Sequence, residues 1–161
     1  MTAGAFQDRL VVSSTTPSVG PLDQSIPRPV RASVVVWLAA VACGVMESLV
    51  HLLLPDPPTA AELAVRFVIY AAIVALILAL RSRRDFVRWT LAVVLGGFGT
   101  ASLVVEPLRW LRAGGSASAF LATATGPALL VVGLRAVHLL CVLTALALMF
   151  HPRANAFFRS P

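Results

Sequence analysis

The chain has 161 residues, of which 58% are hydrophobic and only 12% are charged. A soluble domain carries about 25% charged residues, so the composition excludes an ordinary soluble domain and favours an integral membrane protein. The formal net charge is +6, and every basic side chain that contributes to it is an arginine. These arginines lie mostly in loops and at helix ends, as topology rules predict, so the charge does not indicate a nucleic-acid-binding protein.

The first 31 residues lack a long apolar segment. A short apolar stretch near the start is interrupted at once by serines and threonines, unlike the apolar core of a signal peptide. Pro17, Pro21, Pro27 and Pro29 then oppose regular structure. We therefore predict a disordered tail over residues 1–31.

Four apolar runs of about 20 residues follow this tail, and each is long enough to cross about 30 Å of hydrocarbon as a helix. Unpaired backbone groups are costly in lipid, so helices are favoured over strands. Within a domain at residues 32–151, the predicted spans are about 33–54, 60–80, 86–107 and 127–150. The sequence therefore predicts an all-α, integral membrane four-helix bundle.

Local signals set the ends of these spans. Pro55 stops the first helix, because a proline cannot continue it. Thr59 and Glu62 have the spacing of a capping box at the start of the second helix. The third helix is expected to end near Pro107, and the loop that follows to carry a short interfacial helix around Phe120.

The arginines flank the predicted helices unevenly. One side of the bundle receives eight of them: Arg28, Arg31, Arg81, Arg83, Arg84, Arg88, Arg153 and Arg159. The other side receives Arg109 and Arg112. By the positive-inside rule both termini, including a short basic tail at residues 152–161, are predicted to be cytoplasmic, in the cell inner (plasma) membrane. Three tryptophans near predicted helix ends fit interfacial positions: Trp37, Trp89 and Trp110.

Small residues recur at four-residue spacing on three of the predicted helices, and such stripes let helices approach closely in lipid. The stripes are Ala40, Gly44 and Ser48; Ala71, Ala75 and Ala79; and Ala92, Gly96 and Thr100, with Gly97 and Ala101 beside the last. The glycine-rich stretch around Gly96 lacks the strand and the lysine of a phosphate-binding loop. We therefore interpret Gly44, Gly96 and Gly97 as helix-packing residues.

Five polar residues lie within the apolar runs: Glu47, Arg66, Glu106, Arg135 and His138. A charge in hydrocarbon is costly, so it usually faces the bundle interior and finds a partner. Glu47, Arg66 and Arg135 fall at similar depths, and Glu106 lies higher, within reach of Arg66 or Arg109. Two interpretations stay open: an ion-paired cluster that fixes helix register, or an outward-facing pocket for an ion, a proton or a small ligand.

A metal site and an enzyme are less favoured by the pattern. Glu47 and His51 share a helix face, and with His138 they have the composition of a two-histidine, one-carboxylate metal site. The two histidines lie at different depths, which favours neutral, hydrogen-bonded side chains over a metal or haem. Cys43 and Cys141 lack metal or redox spacing and are interpreted as buried hydrophobic residues. No nucleophile–base motif is evident, so we expect neither a cofactor nor enzymatic activity.

Two stretches carry a family resemblance. One is Arg84 to Trp89, followed by Leu95-Gly96-Gly97 and Glu106-Pro107, and the other is Met149 to Arg159. They resemble a set of small four-helix integral membrane proteins of actinobacteria, over about residues 33–159. The resemblance implies the topology and the source, but it implies no activity and transfers no catalytic residue.

The leading functional expectation is therefore a multi-pass protein of the lipid bilayer that acts as an accessory or scaffold subunit. It would pack against another membrane protein or a second copy of itself, as the small-residue stripes suggest. The alternative is a small transporter or ligand-binding membrane protein that uses Glu47, Arg66 and Arg135 as an outward-facing polar pocket.

Overall fold

The computed structural model describes residues 26–159, which are almost entirely helical. Of these residues 87% are in helices and none is in a strand. The helices are α1 (Arg28–Val50), α2 (Ala60–Ala79), α3 (Asp85–Arg112), α4 (Ala117–Thr123), α5 (Gly126–Met149) and α6 (Pro152–Arg159). Four of them, α1, α2, α3 and α5, are long and apolar enough to cross a membrane. The predicted all-α class with four long apolar helices is confirmed.

Helix α1 begins at Arg28, five residues before the predicted start. Pro29 does not oppose this start, because the first N–H groups of a helix have no intrahelical partner to lose. The Ser33 hydroxyl, which is buried, donates a 2.9 Å hydrogen bond to the Ala145 carbonyl oxygen on α5. This segment therefore belongs to the packed helices rather than to a tail. Residues 1–25 of the predicted tail lie outside the described residues.

Helix α2 has the capping box that the sequence predicts. The Thr59 side chain accepts the N–H of Glu62 at 3.3 Å, and the Glu62 carboxylate accepts the N–H of Thr59 at 2.7 Å. A 3₁₀ turn over Leu80–Ser82 continues α2, and Arg83 then adopts a left-handed conformation with φ of 59° before α3 begins. Helix α1 also ends in a 3₁₀ turn, over His51–Leu53.

Helix α3 is continuous over Asp85–Arg112 and is built from three segments. It is α-helical over Asp85–Leu91, π-helical over Ala92–Gly99 and α-helical again over Thr100–Arg112. The predicted end near Pro107 is wrong, because Pro107 lies inside the helix. A proline removes one hydrogen bond of the helix ladder, and a long apolar helix can tolerate that loss by local adjustment.

The most extensive interface of the bundle joins α1 and α5. On α1 the buried residues include Trp37 and the predicted stripe of Ala40, Gly44 and Ser48, of which Gly44 and Ser48 lie against Tyr70 of α2. On α5 they include Val142, Ala145 and Met149. Helix α2 contributes a different face from the one predicted. Its buried residues are Ile77 and the adjoining Leu80, whereas Ala71 and Ala75 of the predicted stripe are exposed.

The predicted basic tail at residues 152–161 contains a helix that folds back onto the bundle. Over Pro152–Arg159 the chain forms α6, which contacts α1 and α5. Its residues at positions 154, 157 and 158, two of them phenylalanines, are buried. This three- and four-residue spacing places them on one helix face, so α6 is a packed amphipathic element.

Candidate functional site

A cavity of about 250 Å³ lies between α1, α2, α3 and α5. Apolar residues of all four helices, among them Val41, Ile73, Leu95 and Val142, make up much of its wall. The polar side chains in the wall come from all four helices: Trp37, Glu47, Ser48, Arg66, Tyr70, Ser102 and His138. We call this space the interhelical cavity.

The cavity opens between α2 and α3. Arg66 on α2 and Ser102 on α3 both line the cavity and both are exposed. Helix α2 packs against the first segment of α3, so the two helices are in contact at that end of the bundle. The opposite end is closed by large side chains that are almost fully buried: Trp37, Ile77, Leu80, Leu91 and Met149. The cavity is therefore a blind pocket rather than a passage through the bundle.

An ion-paired cluster adjoins the cavity and joins three helices. The Arg135 Nε of α5 donates to Glu47 Oε1 of α1 at 2.7 Å, and its Nη1 donates to Glu106 Oε2 of α3 at 2.8 Å. The Glu47 side chain is 13% exposed and that of Glu106 is 71% exposed. The predicted partners of Glu106 were Arg66 or Arg109, so this pairing is a correction. Glu47 is the member of the cluster that lines the cavity.

Arg66 is not part of this cluster. It lies on α2 at the mouth of the cavity, and it makes no hydrogen bond or ion pair with any of residues 26–159. A guanidinium group carries five N–H donors and no acceptor, so Arg66 has unused donors beside the pocket. The structure thus separates two arginines that the sequence placed at similar depth.

A short hydrogen-bond chain ties α1 to α2 along the cavity wall. The Tyr70 hydroxyl donates to the Gly44 carbonyl oxygen at 2.9 Å, and its oxygen lies 3.0 Å from Ser48 Oγ. Because the Tyr70 proton is committed to Gly44, Ser48 is the donor in the second bond. A Cβ at position 44 would come within 3.3 Å of the Tyr70 hydroxyl oxygen, so glycine permits this close approach.

Two further wall residues have buried nitrogen atoms without partners among the described residues. They are Nε1 of Trp37, whose side chain is fully buried, and Nδ1 of His138. Most buried polar atoms in folded proteins are hydrogen-bonded. Two other buried atoms of the described residues, Arg88 Nε and Thr100 Oγ1, also lack partners, and neither residue lines the cavity. The sequence placed Trp37 at an interface near a helix end. Because α1 begins at Arg28, Trp37 lies more than two turns inside the helix, and it lines the cavity.

The proposed metal ligands are not brought together. His51 Nδ1 is bonded to the Glu47 main-chain oxygen at 2.8 Å, and only Glu47 and His138 line the cavity. Residues 26–159 contain no group of three His, Cys, Asp or Glu side chains placed to hold a metal ion. Cys43 and Cys141 are both free thiols and half-buried.

The predicted packing glycines behave differently from one another. A Cβ at Gly96 would lie 3.0 Å from a Leu146 methyl carbon, so this position sits against α5. A Cβ at Gly97 would meet nothing within 4 Å, and Gly97 is exposed. Gly97 therefore does not pack within this bundle.

A second polar cluster, missed by sequence reasoning, lies at the other end of the bundle. The Arg88 Nη1 donates to Asn155 Oδ1 at 2.6 Å, and its Nη2 is 2.8 Å from Asp85 Oδ1. The guanidinium lies 4.9 Å from the Phe150 ring centroid and 5.1 Å from that of Phe158. We call these five residues the Arg88 cluster. It joins the start of α3 to α6 and to the end of α5.

No protein-family model, curated protein or solved structure matches this chain. The interhelical cavity offers hydrogen-bond donors, an exposed arginine at its mouth and an apolar wall, which suit the binding of a small molecule.

Proposed function

We propose that this chain is a multi-pass protein of the cell inner (plasma) membrane, with four spans and both termini in the cytoplasm. Four helices of sufficient length and apolarity support the spans. The arginine asymmetry supports the orientation, because loops and tails rich in arginine remain in the cytoplasm. The resemblance to small actinobacterial membrane proteins agrees with this topology. In this orientation the Arg88 cluster is cytoplasmic and the mouth of the interhelical cavity is in the outer half of the bundle.

Within that membrane, the protein's proposed role is to bind a small ligand in the interhelical cavity. One observation supports this role: two helices each contribute a cavity-lining residue with a buried nitrogen that has no hydrogen-bond partner among the described residues. They are Trp37 on α1 and His138 on α5. An unpaired buried group costs about 1–3 kcal/mol, and a ligand in the cavity would supply the missing hydrogen bonds.

The apolar inner end of the bundle favours a ligand-binding role over a role as a channel. Almost fully buried apolar side chains fill the bundle between the cavity and the arginine-rich end. A continuous channel would need polar groups or water along that path. The proposed role is therefore that of a receptor or binding subunit, or of a carrier that must change conformation to release its ligand.

A matched pair of substitutions at the cavity mouth tests this role. Ser102→Phe places a ring at the mouth, whereas Ala101→Phe places the same ring on the neighbouring exposed position, outside the cavity wall. A small-molecule library is screened against purified protein in lipid nanodiscs, with thermal stabilisation as the readout. Compounds that stabilise the unmodified protein and Ala101→Phe, but not Ser102→Phe, support binding in the cavity. Stabilisation that is equal in both variants contradicts it.

A second role, as an accessory or scaffold subunit, is favoured by a different observation. Two faces with small residues are exposed on the bundle: Ala71 and Ala75 on α2, and Gly97 and Ala101 on α3. Helix α3 is also the least covered of the long helices, with 6% of its most apolar window buried. Small-residue faces are where helices associate in lipid. Extraction from native membranes in mild detergent, with mass spectrometry of stoichiometric companions, tests this role; a monomer without companions contradicts it.

A further inference from the structure

We propose that the arginine-rich end of the bundle binds the head groups of anionic phospholipids. The surface is formed by exposed arginines of α1, of the connection between α2 and α3, and of α6. We call it the arginine face, and its members are Arg28, Arg31, Arg81, Arg84, Arg153 and Arg159. This inference rests on the proposed four-span topology, and it is independent of the ligand-binding role of the interhelical cavity.

The fold brings these arginines together from three separate parts of the chain. Helix α1 begins at Arg28, and it contacts both the turn Leu80–Ser82 and α6. The Arg83 guanidinium, just after that turn, lies 4.7 Å from the ring centroid of Phe157 on α6. The start of α1, the connection between α2 and α3, and α6 therefore meet at one end of the bundle.

The positive charge of this end is not balanced by the described part of the chain. Residues 26–159 contain twelve arginines, and eight of them lie here with one carboxylate, that of Asp85. Asp85 is paired with Arg88 at 2.8 Å, and no member of the arginine face is in an ion pair with a described residue. Like charges that the fold brings together repel one another, so this face attracts anions.

The rest of the bundle shows that this imbalance is local. The remaining four arginines are accompanied by four carboxylates. These eight residues are Arg66, Arg109, Arg112, Arg135, Glu47, Asp56, Glu62 and Glu106. The two ends therefore differ in net charge although both carry exposed arginines, and the balanced end supplies a control for the other.

The apolar surroundings of the arginine face favour a lipid over a soluble polyanion. Phe86 and Trp89, which closely follow Arg84 on α3, are 63% and 53% exposed. Aromatic rings at the end of a span lie at the level of the lipid head groups. A guanidinium at this level can bind two phosphate oxygens in parallel, and basic segments beside a span attract anionic lipids. Phosphatidylcholine also has a phosphate, but its choline group carries a positive charge that the face repels.

Native mass spectrometry of the full chain in a non-ionic detergent tests this inference. Phosphatidylglycerol and phosphatidylcholine with identical acyl chains are titrated separately, and the lipids that stay bound are counted. We expect phosphatidylglycerol to bind about tenfold more tightly. The double variant Arg28→Gln with Arg31→Gln should weaken its binding by about tenfold, since each arginine near a membrane surface contributes about a fivefold change in affinity. Arg153→Gln with Arg159→Gln should act in the same direction from α6.

The matched control is Arg109→Gln with Arg112→Gln, which also removes two exposed arginines three residues apart at the end of a long helix. It should leave the preference for phosphatidylglycerol unchanged, and circular dichroism should show the same helix content in all variants. Equal binding of the two lipids, or an equal loss in the control, would overturn the inference.

Two competitors, added at constant ionic strength, identify the source of the anion. Displacement of phosphatidylglycerol by inorganic phosphate or by a single-stranded oligonucleotide would overturn the lipid in favour of an anion from solution. Failure of any of these tests leaves the four spans in place, whereas a chain that stays in solution without detergent would overturn the spans themselves. The cavity role is tested separately by Ser102→Phe, which leaves the arginine face intact.

Discussion

Two arginines on neighbouring helices, Arg88 and Arg66, show how differently one charge can be used in this bundle. Arg88 on α3 is 5% exposed, bonded to an amide and a carboxylate, and covered by aromatic rings. Arg66 on α2 is exposed at the mouth of a cavity and bonded to none of the described residues. The first arginine is surrounded by the groups that hold α6 in place, so its role is structural. The second has the free donors that a ligand would need.

Replacing Arg88 should have the largest effect on stability. Arg88→Met removes the guanidinium that Asn155 and Asp85 bind, and it leaves the half-buried Asn155 amide oxygen without its donor. Loss of a charged hydrogen-bond partner in a buried site costs about 2–4 kcal/mol. Unfolding in detergent, followed by circular dichroism, measures the change. Arg66→Met is the matched control and should cost less than about 0.5 kcal/mol. Equal losses for the two variants would show that Arg88 does not stabilise the bundle more than Arg66 does.

The ion-paired cluster beside the cavity should show an intermediate effect. Arg135→Met leaves the Glu47 carboxylate, which is 13% exposed, without its guanidinium, and we expect a loss of about 2 kcal/mol. Glu106→Gln alters a side chain that is 71% exposed, so its effect should stay within about 0.5 kcal/mol. The same unfolding measurement compares the two. A larger effect of Glu106→Gln would mean that Glu106, and not Glu47, is the main partner of Arg135.

These pairs also show what sequence reasoning could not determine. Long apolar runs specify a helix and its length, which is why the four long helices were predicted. They do not specify how far each helix is rotated about its axis, and rotation decides which carboxylate meets which arginine. The π-helical segment Ala92–Gly99 makes the rotation of α3 still harder to predict, because its wider turn rotates every later residue of α3 relative to an α-helical register. The pairing of Glu106 with Arg135 depends on that rotation.

The missed Arg88 cluster has a separate cause. Helix α6 has eight residues and only three buried positions, too few for periodicity to stand out from a short basic tail. Its partner, Arg88, carries no local signal of burial and fits the positive-inside pattern equally well. Only the fold brings Arg88 and Asn155 together, across 67 positions of sequence.

Weakening the attachment of α6 through Asn155 should reduce the stability less than replacing Arg88 does. Asn155→Ala deletes one bond to Arg88 and one to the Phe150 carbonyl oxygen, but keeps the aromatic rings around the guanidinium. We expect a loss of about 1–1.5 kcal/mol. Hydrogen exchange measured by mass spectrometry should locate it, with faster exchange over Pro152–Arg159 and unchanged exchange over α1. Faster exchange throughout the bundle would show instead that α6 is part of the cooperative core.

The smallest predicted difference in stability is between variants of two glycines. Gly44 lies against a neighbouring helix, whereas Gly97 is exposed. Alanine gains helix propensity over glycine by about 1 kcal/mol at either position, so the difference between Gly97→Ala and Gly44→Ala isolates packing. At Gly97 the new methyl group meets nothing within 4 Å. At Gly44 it lies 3.3 Å from the Tyr70 hydroxyl oxygen, and Tyr70 cannot withdraw without lengthening its 2.9 Å bond to the Gly44 carbonyl.

We therefore expect Gly97→Ala to leave the stability unchanged or to raise it. Gly44→Ala should be less stable than Gly97→Ala by about 1 kcal/mol, measured by unfolding in the same detergent. Tyr70→Phe in the Gly44→Ala background is the internal control, since removal of the hydroxyl removes the close contact and should shrink the difference. If Gly97→Ala proves destabilising in native membranes but not in detergent, the exposed face of α3 is covered there by a partner, and the accessory-subunit role gains over ligand binding alone.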